Sequence, residues 1–272
     1  MPANATSDYA RKLELFEALR GPLILEALKW LDLPPASHGL DAGCGVGLHA
    51  EPLLKAVAPG GQITGADLSQ DLLNRAQELV ADRGLDHAVS FRQADLNSLP
   101  FEPESFDWIW SVDCAGYMPG NKAVLINELS GVLKPGGRLA LMAYSSQQLL
   151  PGYPGLEARL NATPAGQLPF GQDSVPGDHF MRLPQRFSQA GLADIKAKSF
   201  MAEFNAPLDS NIREALLELM DMRWGAARKQ VSSGDWNLFS RQSRPGSKEC
   251  ILDRPEYYGF FTYTMFTATK PA

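Results

Sequence analysis

The chain has 272 residues, 44% of them hydrophobic, and a formal net charge of −6, the pattern of a globular protein able to bury a sizeable core. No apolar run is long enough for a membrane span, Met1-Pro2-Ala3-Asn4-Ala5 shows no secretory leader, and three scattered cysteines (Cys44, Cys114, Cys250) make neither a disulfide framework nor a metal cluster, so a cytoplasmic protein without metal is expected. Residues 1–144 carry 11 Lys/Arg against 18 Asp/Glu and the remainder 14 against 13, an acidic first half that argues against nucleic acid and for a small-molecule or peptide substrate.

Residues 7–32 read as helix, with Leu13, Phe16, Leu19, Leu23, Leu25, Leu28 and Leu31 on one face. Gly21-Pro22 is expected to divide it in two, and Pro34-Pro35 ends it. A first strand near His38–Ala42 runs into Gly39-Leu40-Asp41-Ala42-Gly43-Cys44-Gly45-Val46-Gly47, and an amphipathic helix follows. Glycines suit a tight turn and close approach of a ligand, and free N–H groups at the next helix start would face the same space. The loop therefore reads as a cradle for a nucleotide-like ligand. The dinucleotide fingerprint G-x-G-x-x-G is not met, because Leu48 stands where its third glycine belongs.

Gln62–Asp67 is the second strand, and Ser69 caps the next helix, whose inner face is Leu72, Leu73, Ala76, Leu79 and Val80. Asp67 falls at a strand end, where ligands of open parallel sheets sit, and its carboxylate can accept hydrogen bonds from both ribose hydroxyls; the other reading is a solvated turn acid. Val89–Ala94 and Phe106–Val112 are the third and fourth strands. Asn121–Leu133 is a helix with Val124, Leu125, Leu129, Val132 and Leu133 inward, then Leu133-Lys134-Pro135-Gly136-Gly137 turns into a strand at Leu139–Tyr144.

Residues 145–179 are rich in Pro and Gly (Gly171 among them), leave room for one short helix near Leu156–Leu160, and suit a substrate lid. Arg182–Ala190 is helix, Asp194–Phe204 the sixth strand, Asn211–Val231 a helical insertion, and Tyr258–Pro271 a last strand. Residues 223–254 hold seven Lys/Arg and three Asp/Glu, either a solvated cover or a basic rim for an anionic substrate.

The string Asp41-Ala42-Gly43-Cys44-Gly45-Val46-Gly47 resembles motif I of the class I S-adenosylmethionine-dependent methyltransferases, D-x-G-x-G-x-G, and the Lys134-Pro135-Gly136-Gly137 turn resembles the one before their fifth strand. The chain looks similar to the methyltransferase type 11 and quinone-biosynthesis group. The resemblance implies an α/β, Rossmann-like three-layer αβα sandwich with strand order 3-2-1-4-5-7-6 and an antiparallel strand 7. It implies one domain over 1–272: a helical cap at 7–35, a cofactor core at 36–144, and lid or substrate insertions at 145–179 and 205–255.

By the same resemblance, S-adenosylmethionine (leaving as S-adenosylhomocysteine) would be bound by Asp41, Ala42, Gly43, Cys44, Gly45, Gly47, Asp67 and Leu68. Asp95 and Leu96 would read the adenine, and Ser111, Val112 and Asp113, within the segment to Met118, would line the methionine part. Tyr9 would close over the site. The expected activity is in-line methyl transfer to a small molecule, without metal, nucleic acid or membrane span. Should the acceptor need a base, His179, Asp113 and Tyr117 are the candidates, each with an alternative reading as a packing residue. A nicotinamide-dependent oxidoreductase and a non-catalytic methyltransferase-like binding protein are the other readings.

Overall fold

The computed structural model describes residues 3–117, 121–170 and 175–272; Met1, Pro2, Met118 and Gly171, which enter the sequence reading, lie outside them. In chain order the elements are α1 (Ala3–Leu31), β1 (His38–Ala42), α2 (Ala50–Ala56), β2 (Gln62–Asp67), α3 (Gln70–Asp82), β3 (Val89–Gln93), β4 (Phe106–Val112), α4 (Lys122–Val132), β5 (Leu133–Gln148), α5 (Pro154–Asn161), α6 (Leu183–Gln189), β6 (Ala193–Asn205), α7 (Ser210–Trp224), α8 (Ser233–Ser243) and β7 (Tyr258–Thr269). The seven strands form one sheet in the order β3-β2-β1-β4-β5-β7-β6. β1 to β5 run parallel, and β7 is antiparallel to both β5 and β6.

The register puts the carboxyl ends of the central strands at one edge. Asp41 on β1 stands opposite Gly65 on β2 and Trp110 on β4. Strands buried on both faces are apolar nearly throughout, as β4 is with Phe106, Trp108, Ile109 and Trp110. One core packs α1, α2, α7 and α8 on one side of the sheet. A second packs α4 and α6 on the other, giving three layers.

The structure departs from the sequence reading in six places. Leu25, expected on the inner face of α1, is exposed. α1 is continuous through Pro22. The proline removes one N–H, but Leu19, Leu23, Ile24, Ala27, Leu28 and Leu31 are all buried, and their packing outweighs the missing bond. On α4, Val124 is exposed and Ile126 takes the inward place. β5 begins at Leu133, opposite Phe106, and resumes at Arg138, opposite Trp108, so the Lys-Pro-Gly-Gly segment bulges within the strand.

β5 also runs on to Gln148, because residues 146–148 pair with Phe260–Thr262 of β7; the expected insertion therefore starts later than 145. Finally, α7 ends at Trp224 and passes into a 3₁₀ segment, Gly225–Lys229, and α8 had no clear periodicity. Its Ser232 side chain caps the helix by accepting from the Asp235 amide at 3.1 Å. Trp236 and Phe239 then pack it against Trp224.

Candidate functional site

The glycine loop is shaped by its own backbone. Gly43, Gly45 and Gly47 have φ of +80°, +53° and +76°, a region costly for side chains. At Gly43 the restriction is also steric, since a Cβ would lie 2.2 Å from Cys114 Sγ. Four amides of the loop itself are engaged. Gly43 and Cys44 N–H both donate to Ala66 O (2.7 and 3.0 Å), Gly47 N–H to Cys44 O (2.9 Å), and Gly45 N–H to Asp67 Oδ2 (2.9 Å). These bonds hold the loop on the end of β2. The loop offers close approach rather than donors for a pyrophosphate, which separates it from a dinucleotide cradle.

Asp67 therefore acts as a strut as well as a candidate ligand group. Its Oδ1 accepts from Ser69 N–H at 2.9 Å, and each carboxylate oxygen keeps further acceptor capacity. The next residue, Leu68, is exposed beside it. Asp95 is exposed and held by Asn97, whose backbone and side-chain amides donate to Oδ1 at 2.8 and 2.9 Å and keep the acid below the usual carboxylate range. Leu96 is half-buried against the second core.

Beneath the loop lies a buried polar cluster. Asp41 is 2% exposed; burial, with the nearby Asp67 charge adding and Arg20 opposing, pushes its pKa up to about 7. Arg20, from α1, donates to Glu17 Oε2 (3.1 Å) and Asp113 Oδ2 (3.4 Å). Burial opposes its charge, but Tyr263, Glu17 and Asp113 hold it more firmly protonated than usual. Asp113, at φ +52°, also accepts from Tyr263 O–H (2.6 Å) and the Tyr144 amide (3.1 Å), so this candidate base is fully engaged; burial raises its pKa and Arg20 opposes the rise.

His49, just after the loop, accepts from Trp110 Nε1–H through Nδ1 at 3.3 Å. Its Nε2 is buried without a hydrogen-bond partner, 3.9 Å from Glu17. Burial and then Arg20 lower its pKa to about 3, so the imidazole is neutral. Tyr9 is half-exposed yet coupled to Asp113, Cys114 and Asp67, which places its phenol over this space. Ser111 is fully buried, donating to Ala42 O (2.6 Å) and accepting from Ala115 N–H (2.9 Å), and so ties β4 to β1. Val112 is buried at the strand end.

A second space opens beyond Tyr117. It is a cavity of about 470 Å³ whose walls include Tyr117, Tyr144, Phe170, His179, Phe180 and Arg223. Burial pushes Tyr117 up to about 12. His179 faces the cavity, but its Nδ1 accepts from the Met181 amide at 3.2 Å, so the proton sits on Nε2 and the ring is a donor there. Its ring packs on Phe170, with centroids 4.8 Å apart. The sequence reading missed Arg20, His49, Tyr263 and Arg223. Two of these had a signal: Arg20 continues the Ile24, Ala27, Leu31 stripe of α1, and Arg223 the Leu216, Leu219 stripe of α7.

Residues 40–137 match the family described as Methyltransferase domain. Over that stretch the chain is similar to the class I S-adenosylmethionine-dependent methyltransferases. It is 40% identical over 111 residues to methyltransferase GfsG of Streptomyces halstedii, covering 41% of this chain and 39% of that one. It is 28% identical over 189 residues to a demethylmenaquinone methyltransferase of Halalkalibacterium halodurans, covering 64% and 75%. Relatives such as GfsG are thus matched over well under half their own length. The [4+2]-cyclase SpnF shares the fold (TM-score 0.56, 21% identity, 92% of this chain and 81% of that one).

The residues at the loop fit S-adenosylmethionine, the cofactor of the similar methyltransferases. The three glycines hold left-handed φ, a Cβ at Gly43 would meet Cys114, and one acid stands at the end of β2. The cluster below offers a cation, acids and an unpartnered buried imidazole N–H, the mixed charge that a zwitterionic amino-acid group needs. Among the described residues no group of three or more His, Cys, Asp or Glu could hold a metal ion, and no helix is long and apolar enough to cross a membrane.

Proposed function

We propose that this chain transfers a methyl group from S-adenosylmethionine to a small molecule seated in the cavity beyond Tyr117. The carrying observation is the continuity of one segment. Cys114 packs on Gly43 of the cofactor loop, and Tyr117, whose amide donates to Cys114 O at 3.1 Å, lines the cavity. Four residues thus join the two spaces. When bound, S-adenosylmethionine supplies a methyl carbon on a positive sulfur; as the acceptor atom bonds to that carbon, the carbon–sulfur bond breaks and its electron pair stays on sulfur.

In this reading Asp67 holds the ribose hydroxyls, Leu68 and Leu96 flank the adenine, and Asp95 takes its amino group. Arg20 and His49 Nε2–H face the carboxylate of the amino-acid end. Tyr9 covers the mouth. Catalysis then comes from positioning two reactants and excluding water, and no metal is needed. Among the described residues the cavity presents no free base: Asp113 is tied to Arg20 and Tyr263, and His179 Nδ1 accepts from the Met181 amide. Position rather than proton abstraction is therefore the role of these walls, and a hydroxyl acceptor would lose its proton to solvent.

The small-molecule class agrees with the cavity volume and with a demethylmenaquinone methyltransferase among the relatives. Calorimetric titration with S-adenosylmethionine, S-adenosylhomocysteine and NAD tests the cofactor assignment. Binding of the two sulfur nucleosides and not of NAD is expected, and the reverse would overturn it. The shared fold of SpnF shows that fold alone does not define the reaction, so formation of S-adenosylhomocysteine with an acceptor panel is the second measurement.

A further inference from the structure

Among the described residues, the cavity wall contains a cation with no counter-ion. Arg223 leaves the last turn of α7 and is half-buried. Its Nη2 donates to Gly166 O at 2.8 Å and its Nη1 to Leu168 O at 3.3 Å. Its Nε is buried from solvent and has no hydrogen-bond partner. Among the described residues it makes no ion pair, and no described residue lining the cavity is Asp or Glu. Arg20, Arg186 and Arg213 differ: each is paired with a carboxylate, at 3.1, 3.2 and 2.6 Å. A partly desolvated guanidinium lacking such a partner leaves charge and donors uncompensated.

Four aromatic rings, Tyr117, Tyr144, Phe170 and Phe180, share the wall with polar Ser145, Ser146, Gln147, Asn161 and Gln167. The Arg223 guanidinium lies 5.4 Å from the Tyr144 ring centroid. Tyr117 stands edge-on to Phe170 and Phe180, with centroids 5.8 and 6.3 Å apart. Such rings favour a flat, polarisable guest, and a guanidinium on an aromatic face favours an anionic oxygen next to it. The volume of about 470 Å³ suits one small ring system with substituents.

We infer that the acceptor is a flat aromatic acid, its ring held among Tyr117, Tyr144, Phe170 and Phe180 and its anionic oxygen seated on the Arg223 guanidinium. The inference rests on the proposed function only in calling this guest the methyl acceptor. The anion site itself is a property of the cavity.

The probes are 4-hydroxybenzoate and its uncharged counterpart of equal size, 4-hydroxybenzamide. Each is titrated calorimetrically into the full chain with and without saturating S-adenosylhomocysteine. The wild type is expected to favour the benzoate by about 10-fold or more, the scale of one charge-assisted hydrogen bond. Arg223→Gln should bring the benzoate down to the affinity of the amide and leave the amide unchanged. Equal affinity of the two probes in the wild type, absence of binding by either, or an anion preference surviving in Arg223→Gln would each overturn the inference.

The wild-type comparison needs no variant, so it stands even if Arg223→Gln loosens the 166–168 segment. Thermal midpoint and S-adenosylhomocysteine affinity monitor that variant's fold. The two readings fail separately. Loss of the cofactor assignment appears as no S-adenosylhomocysteine binding, whereas loss of this one appears as no discrimination between the probes.

Discussion

At the carboxyl ends of β1 and β2 the binding surface is largely backbone, whereas at the end of β5, around α5 and on α7 it is largely side chain. The first region is a three-glycine turn tied by four short N–H bonds, with acids around it and Arg20 beneath. The second is a room of four aromatic rings, polar side chains and one arginine, with no described carboxylate on its walls. Backbone cradles built this way leave little freedom for substitution, because the left-handed glycines and the loop's own hydrogen bonds fix the turn. A side-chain room can change its guest by changing a few residues. The contrast matches a cofactor common to a family and an acceptor particular to one member.

The hardest test of the contrast is Arg20→Met. It leaves Asp113 and Glu17 without their cation, and about 3–5 kcal/mol of stability should be lost, read by denaturant unfolding. A loss below about 1 kcal/mol would show that the cluster is dispensable to the cradle.

Asp41 gives a pH test of comparable size. Its pKa of about 7 in the fold exceeds the unfolded value of about 4, so the native state binds more protons between these limits. Stability should therefore fall as pH rises from about 4 to about 7 and level off above, by at most about 4 kcal/mol. Asp41→Asn should abolish that slope and exceed the wild type in stability at pH 8. Parallel stability–pH profiles for the two proteins would refute the assignment.

Gly43→Ala places a methyl group 2.2 Å from Cys114 Sγ in a left-handed conformation. About 3 kcal/mol of destabilisation is expected from the clash and strain, with cofactor affinity lost in parallel. An alanine variant that binds normally would mean the loop is not a tight cradle.

Asp67→Ala removes both the proposed ribose contact and the strut to Gly45 N–H. S-adenosylmethionine affinity should drop by about 100-fold, two charge-assisted bonds' worth, with secondary structure retained by circular dichroism. Unchanged calorimetric affinity would remove Asp67 from the site. The smallest effect belongs to the second region. His179→Ala should change kcat by less than about threefold, since its Nδ1 is engaged by the Met181 amide; a loss of about 100-fold or more would restore it as the base.

Much of the first region was readable along the chain. Its strand, turn and helix follow from the alternation of Asp41, Gly43, Gly45 and Gly47 with apolar neighbours, and Asp67 from its place at the next strand end. The engagement of the loop's own amides is not visible there, because the acceptors of Gly43, Cys44 and Gly45 N–H, Ala66 O and Asp67, come from a different strand. α1 was misread at Pro22 for a similar reason: a local breaking signal was outweighed by packing against distant elements.

Composition and periodicity were enough to establish an α/β chain, its parallel units, the glycine turn and the acid at the end of β2. All of these rest on backbone preferences and on contacts between residues near in sequence. The acceptor room is different. Tyr117, Tyr144, Phe170, His179 and Arg223 are brought together from five separate stretches by the β5–β7 pairing and the packing of α7 on α1. No local pattern carries such a meeting. The absence of a counter-ion for Arg223 among the described residues, like the engagement of Asp113 by Arg20 and Tyr263, is a relation in space and emerges only when the sheet has closed its long-range pairs.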